Sequence, residues 1–280
     1  MKIKFTKMHG AGNDFVLIDD REGNVPWEDH FLMAALASRR TGVGCEGVIL
    51  VQKSDKADFR MRFLNPDGTE VELCGNGSRC AAAFAHAIGA SGTALTMETM
   101  CGLVDVQIIE NGNTVCVWMP EPTKKNFGVE LKIGDELIKG NFINTGVPHF
   151  VVQVPNISTV NVVELGRALR LHPAFAPEGT NVDFVTFRAP NRMTMRTYER
   201  GVEAESGACG TGAVACVIVA VETAQFTLPT KIKTSSGYEL TVDGDWRHSK
   251  CTGLTLSGAV KFVFSGEIEL NDIDMGGEID

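Results

Sequence analysis

The sequence predicts a strand-rich α+β fold built from two similar domains. Three observations carry that expectation: an internal repeat without gaps, many short strand signals, and few helix signals, two of which are copies of each other. The repeat is the most informative. Leu-Cys74-Gly-Asn-Gly and Ala-Cys209-Gly-Thr-Gly lie 135 positions apart. The same offset carries Phe15-Val16 onto Phe150-Val151, Gly44 onto Gly179 and Phe63 onto Tyr198, and Gly75 and Gly77 onto Gly210 and Gly212. Two copies related by a pseudo-two-fold axis would let equivalent residues face each other across one cleft, where the active site is expected.

Taken in order, alternating or short apolar runs predict strands at 2–8, 14–19, 47–53, 58–64, 93–98, 103–109 and 114–119. They recur at 137–143, 149–154, 183–188, 193–198, 230–235, 238–243, 251–257 and 259–270. Residues 28–38 and 161–170 show helical spacing. Gly75–Ile88 and Gly210–Thr223 are Ala-rich helices beginning directly after the two cysteines. Being apolar on most faces, they are expected to be buried, each inside a curling sheet. No regular strand–helix–strand alternation is visible. Met119-Pro120-Glu121-Pro122 marks the boundary between halves, because two prolines forbid continued sheet pairing. The acidic tail beyond Asn271 is expected to fray.

Composition narrows the class. The chain has 280 residues, 44% of them apolar, and no apolar run long enough to span a bilayer. A net charge of −9 argues against nucleic acid or an anionic membrane as partner. The start, Met-Lys-Ile-Lys-Phe-Thr-Lys, alternates like a strand and lacks a secretory core. Eight cysteines without Cys-x-x-Cys or zinc-type spacing read as reduced, cytoplasmic thiols, most of them apolar filler.

Cys74 and Cys209 are the exceptions. Each precedes a helix whose first-turn N–H groups are unpaired within the helix and whose dipole adds partial positive charge. That setting is expected to lower the thiol pKa towards neutrality. Glycines at 75, 77, 210 and 212 let a carboxylate approach the same amides. Two thiols facing one amino acid would supply what a cofactor-independent racemase or epimerase needs. One takes the α-proton, the other returns a proton to the opposite face, and the amides hold the developing charge. A tight strand-to-helix turn with a buried small residue would explain either motif alone; it does not explain the matched pair. Cys80 and Cys216, farther along the same helices, read as structural.

Asn13, Asn65, Asn181, Glu199 and Arg200 sit at strand ends in apolar surroundings, and the repeat sets Asn65 opposite Arg200 and Asp14 opposite His149. They fit a site for a substrate with a second charged end. Asn13 and Asn65 fit turn roles equally well. His149 would position or deprotonate a thiol, or simply be a satisfied strand-edge histidine. His9-Gly-Ala-Gly12 lacks the full nucleotide-loop pattern and no helix follows it.

Together these segments resemble the diaminopimelate epimerase family. The matching stretches are Lys7–Phe15, Asn65–Glu70, Cys74–Cys80, Gly146–His149, Glu199–Gly201 and Ala208–Gly212, with Gly258–Leu270 similar to the family's last strand. The resemblance spans nearly the whole chain. It implies interconversion of LL- and meso-diaminopimelate without pyridoxal phosphate or metal, so no cofactor is expected. It implies Cys74 and Cys209 as the acid/base pair, with His149 and Glu199 tuning them. Asn13, Asn65, Gly75, Asn76, Asn181, Glu199, Arg200, Gly210 and Thr211 would contact substrate. The implied fold is two α+β domains, each a barrel-like, mostly antiparallel sheet around a central helix. The last strand returns to the first domain, giving 1–121 plus 259–280 and 122–258; family members are often homodimers.

Three departures stand out: Val147 where the family often has Asn, Cys45-Glu46-Gly47 after Gly44, and one extra residue between Arg200 and Cys209. The last is expected to shift how Glu205 and Ser206 approach the substrate. Three rival readings remain at this point. One is a proline- or hydroxyproline-type racemase of the same fold. Another is a hydrolase or transferase using Cys209 as a nucleophile activated by His149. The third is a thiol redox or non-catalytic binding protein in which the two cysteines form a disulfide.

Overall fold

A computed structural model of the chain describes residues 1–71, 74–109, 112–188, 190–247 and 250–273. Its contacts divide into Met1–Val117 with Gly258–Asp280, and Trp118–Ser257.

In the first unit, β1 (Lys2–Gly10) and β2 (Asn13–Asp19) form a hairpin, and α1 (His30–Ala37) leads to β3 (Val48–Gln52) and β4 (Phe59–Leu64). Then come α2 (Gly75–Ala87), β5 (Ala94–Thr99), β6 (Gly102–Ile109) and β7 (Thr114–Trp118). The sheet runs β1-β2-β3-β4-β5-β6-β7-β16, where β16 is Lys250–Glu269, and pairing of Lys2–Gly10 with Val260–Glu269 closes it into a barrel of eight strands. Strand alternation places the two helices. Val16, Ile18, Val48 and Leu50 point outward to Leu32, Met33 and Leu36 of α1. The opposite face meets α2, which touches β1, β2, β3, β4 and β6 and is buried from Asn76 to Ala85. Its alanines let the surrounding strands approach closely.

The second unit repeats this plan. It contains β8 (Thr123–Ile133), β9 (Glu136–Asn144), β10 (Pro148–Gln153), α3 (Val162–Arg170), β11 (Asn181–Arg188) and β12 (Arg192–Glu199). β13 (Ala204–Ser206), α4 (Gly210–Thr223), β14 (Thr230–Lys233) and β15 (Glu239–Arg247) follow. The sheet order is β16-β15-β14-β12-β11-β10-β9-β8, with β13 beside β12. Val162 and Leu169 of α3 pack on Phe150, Val152, Val182 and Phe184, while α4 touches β9, β10, β11, β12, β14 and β15.

The structure departs from the sequence reading in four ways. Residues 251–257 and 259–270 form one strand, because Gly258 continues it without a turn. β8 and the three-residue β13 were not predicted; the repeat offset carries β8 onto 258–268, but its burial alternates mostly between partly buried and exposed, so its apolar pattern is weak. Strand–helix–strand units are also present. The pairs β2–β3, β4–β5, β10–β11 and β12–β14 are parallel, and α1, α2, α3 and α4 are their crossovers. Lastly, Ile273 is buried in the first unit's core, so the tail does not fray at Asn271; 274–280 lie outside the described residues. No helix among the described residues is long and apolar enough to cross a membrane.

Candidate active site

The two cysteines occupy the same local position in their units. Cys74 is the N-cap of α2 with φ −123° and ψ 116°, and its sulfur accepts from the Gly77 N–H at 3.4 Å. Cys209 caps α4 with φ −114° and ψ 114°, and accepts from the Gly212 N–H at 3.4 Å. Extended backbone at the cap followed by small residues in the first turn is what a strand-to-helix corner needs. Cys80 and Cys216 are fully buried, as a packing role requires.

In the first unit the β1–β2 hairpin turns through Ala11 and Gly12, both at positive φ, and lies against the start of α2. A Cβ at Gly10 would come within 2.9 Å of the Asn76 carbonyl oxygen, so glycine permits this approach. The hairpin carries Asn13, whose Oδ1 is buried without a hydrogen-bond partner. A buried amide acceptor left open is costly unless a ligand fills it. Asn65 follows β4 and starts a turn closed by the Gly68 N–H donating to its carbonyl. Asp14 is taken up locally, bonded by Arg39 at 2.7 and 3.0 Å and paired with Lys7. Arg79 is fully buried and has no carboxylate partner among the described residues. It donates to the Gly75 carbonyl at 3.0 Å and to Asn76 Oδ1 at 2.6 Å, while its Nε stays unpaired. Burial pulls its pKa down, while Cys80 and Cys74 pull it up.

In the second unit, parallel pairing sets His149 beside Asn181. His149 is fully buried, with Nδ1 2.7 Å from Asp183 Oδ2 and Nε2 2.9 Å from Thr211 Oγ1. Thr211 Oγ1 is in turn 3.5 Å from Cys209 Sγ. The other oxygen of Asp183 accepts from Thr197 Oγ1 at 2.7 Å. Asp183 fits there because residue 212 is glycine: a Cβ at that position would lie 2.4 Å from Asp183 Oδ1. Asn181 Oδ1 accepts from the Arg200 N–H at 2.8 Å and Nδ2 donates to the Pro148 carbonyl at 3.1 Å, which leaves the amide one lone pair and one N–H. It thereby ties the turn after β12, with Glu199 and Arg200, to the strand that carries His149. The Arg200 guanidinium meets the Glu178 carbonyl at 3.4 Å and has no carboxylate partner among the described residues.

The electrostatics overturn one expectation. Burial raises the Cys209 pKa well above its ordinary value, and Glu199 and Asp183 push it further; the Thr211 hydroxyl and Gly212 N–H only partly oppose them. The helix start does not bring this thiol to neutrality, because burial and two carboxylates outweigh its amides. Burial likewise raises Glu199; the Ser206 side chain and His149 oppose the shift, and Asp183 adds to it. The extra residue between Arg200 and Cys209 falls in the segment that forms β13, whose Glu205 is held bidentately by Arg196 at 2.7 and 2.6 Å. Val147 accepts from the Thr145 N–H through its carbonyl, at 3.1 Å.

Within the first unit Cys74, Gly75 and Asn76 form the start of α2, and Gly10, the hairpin partner of Asn13, lies against Asn76. Within the second it groups His149, Asn181, Glu199, Arg200, Gly210, Thr211 and Cys209. Sequence reasoning missed Asp183, Thr197 and Thr145. A charged residue inside the apolar strand Asn181-Val-Asp-Phe-Val was the available signal for Asp183.

A family model described as diaminopimelate epimerase matches the chain twice, over residues 5–125 and 141–261, one match for each copy of the repeat. The diaminopimelate epimerase of Aquifex aeolicus is 42% identical over 278 residues, covering 95% of this chain and 98% of that protein. That of Archaeoglobus fulgidus is 38% identical, covering 98% and 99%. Among solved structures, a probable proline racemase from Agrobacterium radiobacter superposes with a TM-score of 0.74 at 19% identity, covering 97% of this chain and 94% of that chain. A phenazine biosynthesis protein of the PhzF family from Bacillus anthracis gives 0.74 at 18%, covering 96% and 99%. These two structures share the fold. The duplicated match, one copy on each cysteine-capped helix, and the full-length relatives place this chain in the diaminopimelate epimerase family.

Proposed function

We propose that this isomerase interconverts LL- and meso-diaminopimelate by moving a proton at the α-carbon between two sulfur atoms, Cys74 and Cys209. The observation that carries the reading is the matched pair of cysteine-capped helix starts, Cys74 with the Gly77 N–H and Cys209 with the Gly212 N–H. One sulfur, as thiolate, takes the proton; the other, as thiol, returns one to the opposite face. First-turn amides at Gly75, Asn76, Gly210 and Thr211 hold the α-carboxylate and stabilise the charge that develops on it. The reaction then needs neither pyridoxal phosphate nor a metal. Asn13 and Asn65 bind polar groups of the substrate, and Arg200 takes the second carboxylate bidentately. Asn181 contacts the substrate and also holds the Arg200 backbone. His149 and Glu199 govern the protonation of Cys209. Domains of 1–121 with 259–280 and 122–258, a cytoplasmic location and a homodimer belong to the same reading. The exposed run Phe262-Val263-Phe264 on β16 supports the homodimer as an apolar surface to be covered.

The solved racemases support a proline- or hydroxyproline-type activity as a fold relative only. The test is to incubate LL-diaminopimelate with enzyme in deuterated water under reducing conditions. Deuterium should appear at the inverted α-carbon. Exchange on proline with none on diaminopimelate would reject the substrate assignment.

A further inference from the structure

Cys209 sits at one end of a continuous hydrogen-bonded chain that the two-sulfur scheme does not use. Its steps are Cys209 Sγ to Thr211 Oγ1 at 3.5 Å, Thr211 Oγ1 to His149 Nε2 at 2.9 Å, and His149 Nδ1 to Asp183 Oδ2 at 2.7 Å. Asp183 is itself anchored, since its second oxygen accepts from Thr197 Oγ1 at 2.7 Å. His149, Asp183, Thr197 and Cys209 are all at least nine-tenths buried. Donor and acceptor chemistry gives the chain a direction. A carboxylate only accepts, so the proton of His149 lies on Nδ1. Nε2 is then an acceptor for the Thr211 hydroxyl, and the freed lone pairs of Thr211 Oγ1 accept from the Cys209 thiol.

We propose that Asp183 is a positioning residue that fixes the His149 tautomer, making Thr211 and His149 a relay that removes the proton from Cys209 when this sulfur must act as the base. The proton balance is simple. The Cys209 S–H bond breaks as its proton passes to Thr211 Oγ1. The Thr211 hydroxyl proton passes to Nε2, and His149 becomes an imidazolium held by the Asp183 carboxylate. Returning the proton restores the thiol. The proposal rests on the two-sulfur reading and adds how one sulfur changes state inside a buried site.

The repeat sharpens the assignment. In the first copy His149, Asp183 and Thr211 are replaced by Asp14, Val48 and Asn76. Asp14 there is taken up by Arg39 and Lys7. In the copy around Cys74 the position of His149 therefore carries no histidine, and that of Asp183 no carboxylate to orient one. The charged and titratable groups facing Cys209 are Glu199 at the end of β12, Asp183 on β11, His149 on β10 through Thr211, and Cys216 farther along α4.

Two accounts of Asp183 make opposite forecasts. If it acts only as a nearby negative charge, removing that charge makes Cys209 easier to ionise. If it orders the relay, an asparagine amide there can donate to Nδ1 and turn the histidine round, as in a triad that has lost its aspartate. The experiment measures the pH dependence of iodoacetamide alkylation of Cys209 in a Cys74→Ala background, without substrate. Asp183→Asn should slow alkylation at neutral pH about 10-fold and move its midpoint upward. Faster alkylation, or an unchanged profile, overturns the relay.

His149→Gln is the second variant should Asp183→Asn fail to fold; it should slow Cys209 in the same way, whereas an unchanged rate would reject the proposal. With both cysteines present, Asp183→Asn should cut kcat on diaminopimelate about 100-fold with little change in KM, and Thr211→Ser should keep most of the turnover that Thr211→Val loses. Because alkylation needs no substrate, a relay that fails is distinguishable from a wrong substrate assignment.

Discussion

At Cys74 and at Cys209 the backbone enters the helix with nearly the same dihedral angles, and each sulfur accepts from the glycine N–H three residues on. What surrounds them differs. Among the described residues, a buried charge that acts on Cys74 is the Arg79 guanidinium, whose equivalent in the second copy is Val214. Around Cys209 the charges are the carboxylates of Asp183 and Glu199, whose equivalents in the first copy are Val48 and Leu64. Where the Gly10 backbone lies on the Asn76 carbonyl oxygen, the equivalent Thr145 instead donates to the Thr211 carbonyl at 3.0 Å. Duplication thus preserved the corner that aims each sulfur and diverged in the charges that set its proton. A buried cation favours a thiolate and buried anions favour a thiol, so the resting pair is expected to be asymmetric. A two-base epimerase needs that asymmetry, since two thiols or two thiolates could not complete the transfer.

The largest effect should come from the shared part. Cys74→Ala and Cys209→Ala should each lower epimerisation by about 10³-fold or more while leaving far-UV circular dichroism unchanged. A variant that keeps full activity would remove its sulfur from the mechanism. The next effect tests the divergence. Gly212→Ala pushes a Cβ to 2.4 Å from Asp183 Oδ1, a group held from both sides by Thr197 and His149. Gly77→Ala meets only Ile49 Cδ1 at 3.2 Å and Met61 Cε at 3.4 Å, together with Cys74 Cβ at 3.4 Å. Urea unfolding should show a loss of about 3 kcal/mol for the first. For the second the loss should be under about 1 kcal/mol, because alanine's helix propensity offsets part of the crowding. Equal losses would mean that the two helix starts are packed alike.

Much of this was legible in the sequence. The gapless repeat gave the twofold plan, and runs of alternation located most strands within two residues, because half-buried sheet imposes a period of two. The helix-start cysteines stood out because their glycines and position recur in register. β8 was missed because its burial is slight along most of its length. Asp183 was hidden for the opposite reason: it interrupts an apolar strand, and a lone acid in such a run does not reveal whether it faces solvent or a histidine. The raised Cys209 pKa was beyond sequence reasoning too, since Glu199 and Asp183 reach that sulfur only through the fold. Asn181 read as a ligand group, yet both ends of its amide bond the protein's own backbone.

A smaller effect follows from the charges themselves. At pH 7, Cys74 in a Cys209→Ala protein should be alkylated by iodoacetamide faster than Cys209 in a Cys74→Ala protein, by about 10-fold. Arg79→Met should narrow the gap by slowing Cys74. Arg79→Met gives up the bonds to the Gly75 carbonyl and Asn76 Oδ1 but also removes the cost of burying a charge, so this variant should be close to the parent in stability. Equal reactivity of the two cysteines would show that the difference in buried charge does not reach the sulfurs.

The smallest effect concerns Glu199, whose pKa is raised by burial and by Asp183. A carboxyl with a raised native pKa keeps its proton over a pH range in which the unfolded chain has released it. The native state therefore binds more protons there, and stability falls as pH rises from the unfolded value through the native one. Glu199→Gln cannot titrate and escapes that loss. Its melting temperature should match the parent's below about pH 4, where both forms are neutral, and exceed it at pH 7, even as turnover drops because Glu199 no longer holds Cys209 as a thiol. A parent more stable than the variant at pH 7 would mean that hydrogen bonds to the ionised carboxylate outweigh its burial. In that case Glu199 would stabilise the second unit as well as govern its sulfur, and the contrast with Leu64 in the first copy would have to be drawn in packing as well as in charge.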